Sequence, residues 1–206
     1  MSHGIVILAA GASTRLGRPK QLLNFDGKTL LRRAAETALA TNCRPVSVVT
    51  RSGAEALARE ISSLPVQIVV NSDWDKGIGT SIRAGVKAIA ESGLRPEAVV
   101  LMLCDQPLVT ATAIDKLVRR WSASGKPICA ASYSGTIGTP AVFAASLFAE
   151  LLNLADSEGG KAIISRHACD VETMELAEAA MDVDTETDFL RLEDSLRRHL
   201  PRGTAS

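Results

Sequence analysis

Seven short apolar runs alternate with stretches of helical periodicity along almost the whole chain, and this alternation restricts the fold more than any other feature. Continuous apolar runs bounded by turn residues suit strands buried on both faces, with amphipathic helices as the cover. The predicted strands are residues 5–10, 46–50, 67–70, 98–103, 128–133, 140–143 and 172–176. Between the first two, Leu30, Leu31, Ala34, Ala35, Ala38 and Leu39 form one apolar stripe behind Thr29, a suitable N-cap. Similar stripes run through residues 54–61, 81–90 and 113–121. A last helix, about residues 186–200, follows an acidic turn in which Thr185 and Asp188 have the spacing of a capping box. The pattern predicts an α/β fold with a mostly parallel sheet and helices on both faces. The 206 residues are 46% hydrophobic, enough for one domain spanning residues 1–206, with 201–206 as a frayed tail.

Charge and composition narrow the function. Lys plus Arg number 23 and Asp plus Glu also 23, so no net positive field draws the chain to nucleic acid or an anionic membrane. The first ten residues carry no basic leader, and their apolar run is too short for a membrane span, so the expected location is the cytoplasm. Cys43, Cys104, Cys129 and Cys169 have no metal-type spacing and read as reduced, mostly buried thiols. His3, His167 and His199 lie away from every Gly-rich turn, which argues against histidine catalysis.

The most informative segment follows the first strand: LAAGASTRLGRPK, residues 8–20. Leu8, Ala9, Ala10, Gly11 and Ser13 are small or apolar enough to let backbone N–H groups reach phosphate oxygens. Arg15 and Lys20 add the charge that a polyphosphate requires. The segment leaves the carboxyl end of a strand, where open α/β sheets bind ligands. It is neither a Walker loop nor a GxGxxG turn.

The LAAGxSxRxGxPK pattern resembles the signature of the sugar-phosphate and molybdopterin nucleotidyltransferase superfamily, especially its molybdenum cofactor cytidylyltransferase branch. The resemblance implies a Rossmann-like three-layer α/β/α sandwich of the nucleotide-diphospho-sugar transferase type. It also implies that Arg15 and Lys20 contact the triphosphate and the departing pyrophosphate. The Ala9-Ala10 doublet is closer to cytidylyl and uridylyl enzymes than to guanylyl ones, which favours CTP over other NTPs.

Further motifs fit the same plan. Residues 71–82 hold Asn71, Gly79, Thr80 and Ser81, a polar set for a nucleotide base by resemblance; Thr80 or Ser81 could equally cap the helix. Asp105 ends a hydrophobic strand and suits Mg²⁺, which takes one or two carboxylates plus phosphate oxygens and water; a turn-capping role before Pro107 is the simpler alternative. Asp184, in a segment resembling the DxDTxxD motif, is the expected second ligand. Asp182 stays open beside it, because residues two apart on an extended segment point the same way. Gln106, Pro107, Gly138, Thr139, Pro140 and Lys161 resemble acceptor-side positions, although Gly-Thr-Pro stands where relatives carry Gly-His-Pro, and Lys161 reads equally well as a solvated lysine.

The implied reaction is attack of an acceptor phosphate on the α-phosphorus of CTP or another NTP, with Mg²⁺ as cofactor and Mn²⁺ as a substitute. Molybdopterin is the acceptor the resemblance favours, and a molybdoenzyme or its chaperone the recipient of the product. A sugar or alditol phosphate as acceptor, or a nucleotide sensor without turnover, are the alternatives. A monomer or weak dimer is expected.

Overall fold

The computed structural model describes residues 2–199, with side chains as far as Asp194; the tail expected over 201–206 lies outside the described residues. A seven-stranded sheet forms the middle layer. Its strands are β1 (His3–Leu8), β4 (Val46–Arg51), β5 (Gln67–Asn71), β6 (Ala98–Leu103), β7 (Ile128–Tyr133), β8 (Thr136–Ala144) and β9 (Val171–Glu175), in the order β5-β4-β1-β6-β8-β7-β9. A small hairpin, β2 (Asn24–Phe25) and β3 (Lys28–Thr29), stands apart from it. All neighbouring pairs in the large sheet are parallel except those of β8, which runs antiparallel to both β6 and β7. The mostly parallel sheet expected from the apolar runs is present.

Strand alternation builds two cores. Ile5, Ile7 and Ala9 face the helices α1 (Leu30–Leu39), α2 (Glu55–Ile61) and α4 (Ala111–Ser124). Val6, Leu8 and Ala10 face α3 (Ile78–Ala90), α5 (Phe148–Leu152) and α6 (Gly160–Arg166). Thr29 caps α1 through a hydrogen bond that Arg32 N donates to its Oγ1, 3.1 Å. The capping box of α7 (Glu186–His199) also forms. Thr185 N donates to Asp188 Oδ2 at 2.9 Å, and Asp188 N donates to Thr185 Oγ1 at 3.2 Å. No helix among the described residues is long and apolar enough to cross a membrane.

Three boundaries differ from the sequence expectation. β1 ends at Leu8, so Ala9 and Ala10 already belong to the loop. α3 begins at Ile78 with Gly77 as N-cap, so neither Thr80 nor Ser81 caps it. α6 begins at Gly160, where the sequence pattern places no helix. Here it starts a helix whose buried face, with Ile163 and Ile164, packs on the sheet, and Leu101 and Phe143 lie against Gly160 itself. Of the cysteines, Cys43, Cys104 and Cys129 are buried and Cys169 is exposed; all are free.

A third apolar cluster decides where the site forms. Leu23, Phe25 and Leu30, after the Gly-rich loop, pack against Val183, Phe189 and Leu192 near the carboxyl end of the chain. Val183 N donates to Asp105 O at 3.0 Å. The acidic segment around residue 183 is thereby pinned beside the ends of β1 and β6.

Candidate active site

β1 and β6 are parallel neighbours with Leu8 opposite Leu103, so the loop from β1 and Asp105 beyond β6 emerge side by side. The loop is braced from within. Gln21, 1% exposed, donates from Nε2 to Ala9 O (2.9 Å) and Gly11 O (2.8 Å). Ser13 accepts from Lys20 N at 3.1 Å and donates to Gln21 Oε1 at 3.3 Å. Ser13 therefore holds the loop's shape and does not line the cavity. Gln21 had no sequence signal, since glutamine is ordinarily a surface residue.

Lys20 folds back under this loop. Its side chain is only 12% exposed, and its ammonium donates to both Asp105 Oδ2 and Asp184 Oδ1, the latter at 2.6 Å. Burial disfavours its charge, but the pull of Asp105 and the hydrogen bonds it donates to both carboxylates prevail and hold the ammonium above its ordinary value. Arg15 joins Asp184 at 3.1 Å on the exposed side, and Arg18 grips both oxygens of Glu186 at 2.9 Å. The loop is thus fastened to the start of α7 by three cations.

Asp182 and Asp184 do not act as one pair. Asp184 reaches Lys20 and Arg15, whereas Asp182 lines a different part of the cleft. Burial, and then the Asp105 charge, push the Asp182 carboxyl up to about 6. Cys104 is no nucleophile, because complete burial and the neighbouring Asp105 push its thiol far up.

The cleft has two adjoining halves that share Leu8, Ile78 and Leu103. One, of about 350 Å³, is lined by Leu8, Ala9, Ala10, Gly11, Lys20, Ser81 and Asp105, and also by Trp74, Asp75 and Ile78, which sequence reasoning missed. The other, of about 330 Å³, is lined by Gly138, Thr139, Lys161 and Asp182, with Tyr133 and Thr136 as further missed residues. Lys161 Nζ donates to Thr136 Oγ1 at 2.8 Å, which keeps the ammonium at this wall.

Several expected contact residues serve the frame instead. Asn71 is 6% exposed and donates from Nδ2 to Thr80 Oγ1 (2.8 Å) and Ser81 Oγ (3.0 Å), tying the end of β5 to α3. Thr80 spends its own donor on Gly77 O. Neither Asn71 nor Thr80 lines the cleft. Gly79 does permit a close approach, but to protein: its N–H donates to Asp156 O at 2.8 Å, and a Cβ would lie 2.1 Å from Ala155 O. Gly79→Ala is therefore expected to destabilise the fold by about 1–3 kcal/mol despite alanine's better helix propensity, as measured by denaturant unfolding; an unchanged midpoint would contradict it. Gln106 is buried and donates to Thr139 O and Ala179 O, positioning the Thr139 segment from behind. Pro107 and Pro140 are buried and do not line the acceptor half, although Pro140 lies between Thr139 and Ala141, which do; Pro107 O accepts from Arg33 Nε at 2.9 Å.

The donor set suits a hard divalent cation. Asp105 Oδ1 is buried with no partner, and two carboxylates converge on a single buried cation, Lys20. Among the described residues no cluster of three or more His, Cys, Asp or Glu could hold a metal by itself. Phosphate oxygens and water would have to complete the shell, which is the way Mg²⁺ is ordinarily held.

Residues 5–171 match the model of the MobA-like NTP transferase domain. A nicotine blue oxidoreductase from Paenarthrobacter nicotinovorans is 39% identical over 132 residues, covering 63% of this chain and 61% of its own length. The molybdenum cofactor cytidylyltransferase of Escherichia coli K12 is 25% identical over 192 residues, 92% of this chain and 94% of its own. The chain spans less than two thirds of the length of the first curated relatives it matches. Among solved structures, Rv0371c from Mycobacterium tuberculosis H37Rv has a TM-score of 0.82 and 28% identity, over 94% of this chain and 98% of that one. The same protein in complex with manganese has a TM-score of 0.78 and 27% identity, over 95% and 100% of the two chains.

Proposed function

The chain belongs to the MobA-like NTP transferase family, and from that membership we propose that its single domain is a nucleotidyltransferase, joining the nucleoside monophosphate of an NTP to a phosphorylated acceptor. CTP is the proposed donor and molybdopterin the proposed acceptor, with the product passed to a molybdoenzyme or its chaperone. The observation that carries this reading is the meeting of Lys20 with Asp105 and Asp184 beneath the loop from β1. Buried charges are costly unless paired, and a cluster of three at the carboxyl edge of a parallel sheet is the kind of arrangement that binding sites retain. The whole-length match to a cytidylyltransferase supports the choice of CTP.

In this mechanism the two halves of the cleft hold the triphosphate and the acceptor next to one another. A phosphate monoester is largely ionised near neutral pH, so its oxygen can attack the α-phosphorus without a general base. Arg15 and Lys20 would carry the negative charge that gathers on the leaving pyrophosphate, and Lys161 would orient the acceptor phosphate. Asp105 and Asp184 would hold the divalent cation, Mg²⁺ or Mn²⁺, which when bound draws charge from the phosphate oxygens as a Lewis acid. The manganese complex of Rv0371c supports such a site. Lys20 must then leave at least one carboxylate.

Pyrophosphate release tests the proposal, with Mg²⁺ or Mn²⁺, each of CTP, GTP, UTP and ATP, and either molybdopterin or a panel of sugar and alditol phosphates. Release with CTP and molybdopterin is expected, and release only with a sugar phosphate would move the acceptor to that class. The 39% identity to a nicotine blue oxidoreductase favours one second reading, a redox enzyme using the same cleft. Oxidation of NADH or NADPH by an electron acceptor, with no pyrophosphate released from any NTP, would decide for it.

A further inference from the structure

One side chain in the nucleotide half of the cleft is used by neither the loop nor the carboxylates. The chain is poor in aromatic residues and has two tryptophans. Trp121 packs against the core beneath α4, edge-on to His3 with 5.5 Å between ring centroids. Trp74 packs partly against the other core and also forms part of the cleft wall with Ala10, Gly11, Ser81 and Asp105.

The surroundings of Trp74 hold it as a rigid plane. It opens the single helical turn Trp74–Lys76, between the Asn71 bracket and Gly77, whose Cα lies so close to the Asp156 carbonyl that a Cβ would come within 2.3 Å of it. Both ends of this short segment are therefore anchored. The Arg51 guanidinium lies over the indole at 5.1 Å from the ring centroid, and Arg51 Nη1 also reaches Gly11 O at 3.5 Å. The same arginine thus links the ring to the loop that would carry the phosphates.

We propose that Trp74, steadied by Arg51, is the platform on which the base of the nucleoside triphosphate stacks. Every base has a π-face, so a stacking platform supplies affinity without choosing among bases. Choice among them falls to hydrogen-bonding groups in the same wall, such as the Ser81 hydroxyl and the Asp75 carboxylate. The inference rests on the nucleotidyltransferase reading.

CTP binding measured by calorimetry and by tryptophan emission tests the proposal. In Trp121→Phe, where Trp74 is the remaining indole, CTP is expected to quench the emission saturably, with the affinity that calorimetry gives for the unsubstituted protein. Trp74→Leu is expected to weaken CTP roughly tenfold or more, the loss typical of one stacked base, while Trp74→Phe recovers most of the affinity. Thermal melts separate this loss from misfolding. Equal CTP affinity in Trp74→Leu and the unsubstituted protein, or emission unchanged at saturation, overturns the platform while leaving nucleotide binding standing. No binding of any NTP to the unsubstituted protein overturns the nucleotide reading, and the platform with it.

Discussion

Asp105→Ala is expected to lower pyrophosphate release by about 10³-fold or more, the largest loss foreseen for any single substitution here. Asp105 is 9% exposed, follows the end of β6, and has one carboxylate oxygen on Lys20 and the other with no partner. It is the carboxylate nearest to completing a cation shell with phosphate oxygens. Asp105→Asn keeps the shape and the hydrogen bond to Lys20 but loses the charge, so it should be almost as inactive while melting close to the unsubstituted protein. More than a tenth of the original rate in Asp105→Ala would sink the assignment. Comparable loss with every NTP, and not with CTP alone, is expected because the defect lies at the phosphates.

Lys20→Met should cost stability before it costs anything else, on the order of 3 kcal/mol or more in the absence of metal. Asp105 and Asp184 would lose the ammonium that neutralises them, with Asp182 adding a third charge nearby. The pH dependence has a definite sign. Burial and then the Asp105 charge push the Asp182 carboxyl up to about 6, and without the opposing pull of Lys20 it is held further up, so the fold binds more protons there than the unfolded chain, and stability is greatest at low pH and is lost as the pH rises. The difference between Lys20→Met and the unsubstituted protein should accordingly shrink as the pH falls from 7 to 4. Mg²⁺ or Mn²⁺ should recover part of it at pH 7, because a cation that binds the folded state alone stabilises it. Denaturant unfolding at pH 4 and pH 7, with and without metal, is the measurement. A deficit that is the same at both pH values would show that Lys20 acts through packing and not through charge.

Much of the fold was legible in the chain. Apolar runs of four to six residues between amphipathic stripes specify buried strands and covering helices through local periodicity, and all seven strands of the large sheet appear near their expected places. α5, α6 and the β2-β3 hairpin were not foreseen. They are short, and α6 starts at the second residue of a Gly-Gly pair, a composition that points away from a helix. The antiparallel setting of β8 likewise depends on its neighbours in the sheet and leaves no mark on its own composition.

The site divides along the same line. The residues that chemistry singles out, Lys20, Asp105 and Asp184, stand in segments whose small, cationic or acidic character is evident from the chain alone, and the fold brings the three together. Tertiary structure alone decided that Asn71, Thr80, Ser13 and Gln106 brace the site, that Gly79 approaches the Ala155 carbonyl and not a ligand, and that Asp182 parts from Asp184. It also brought Trp74, Gln21 and Tyr133 to the cleft or its frame. The reason is physical: periodicity and residue type are local properties, whereas the partner of a hydrogen bond or the neighbour of a missing Cβ belongs to a segment tens of residues away, brought near only by the packing of the sheet and its helices.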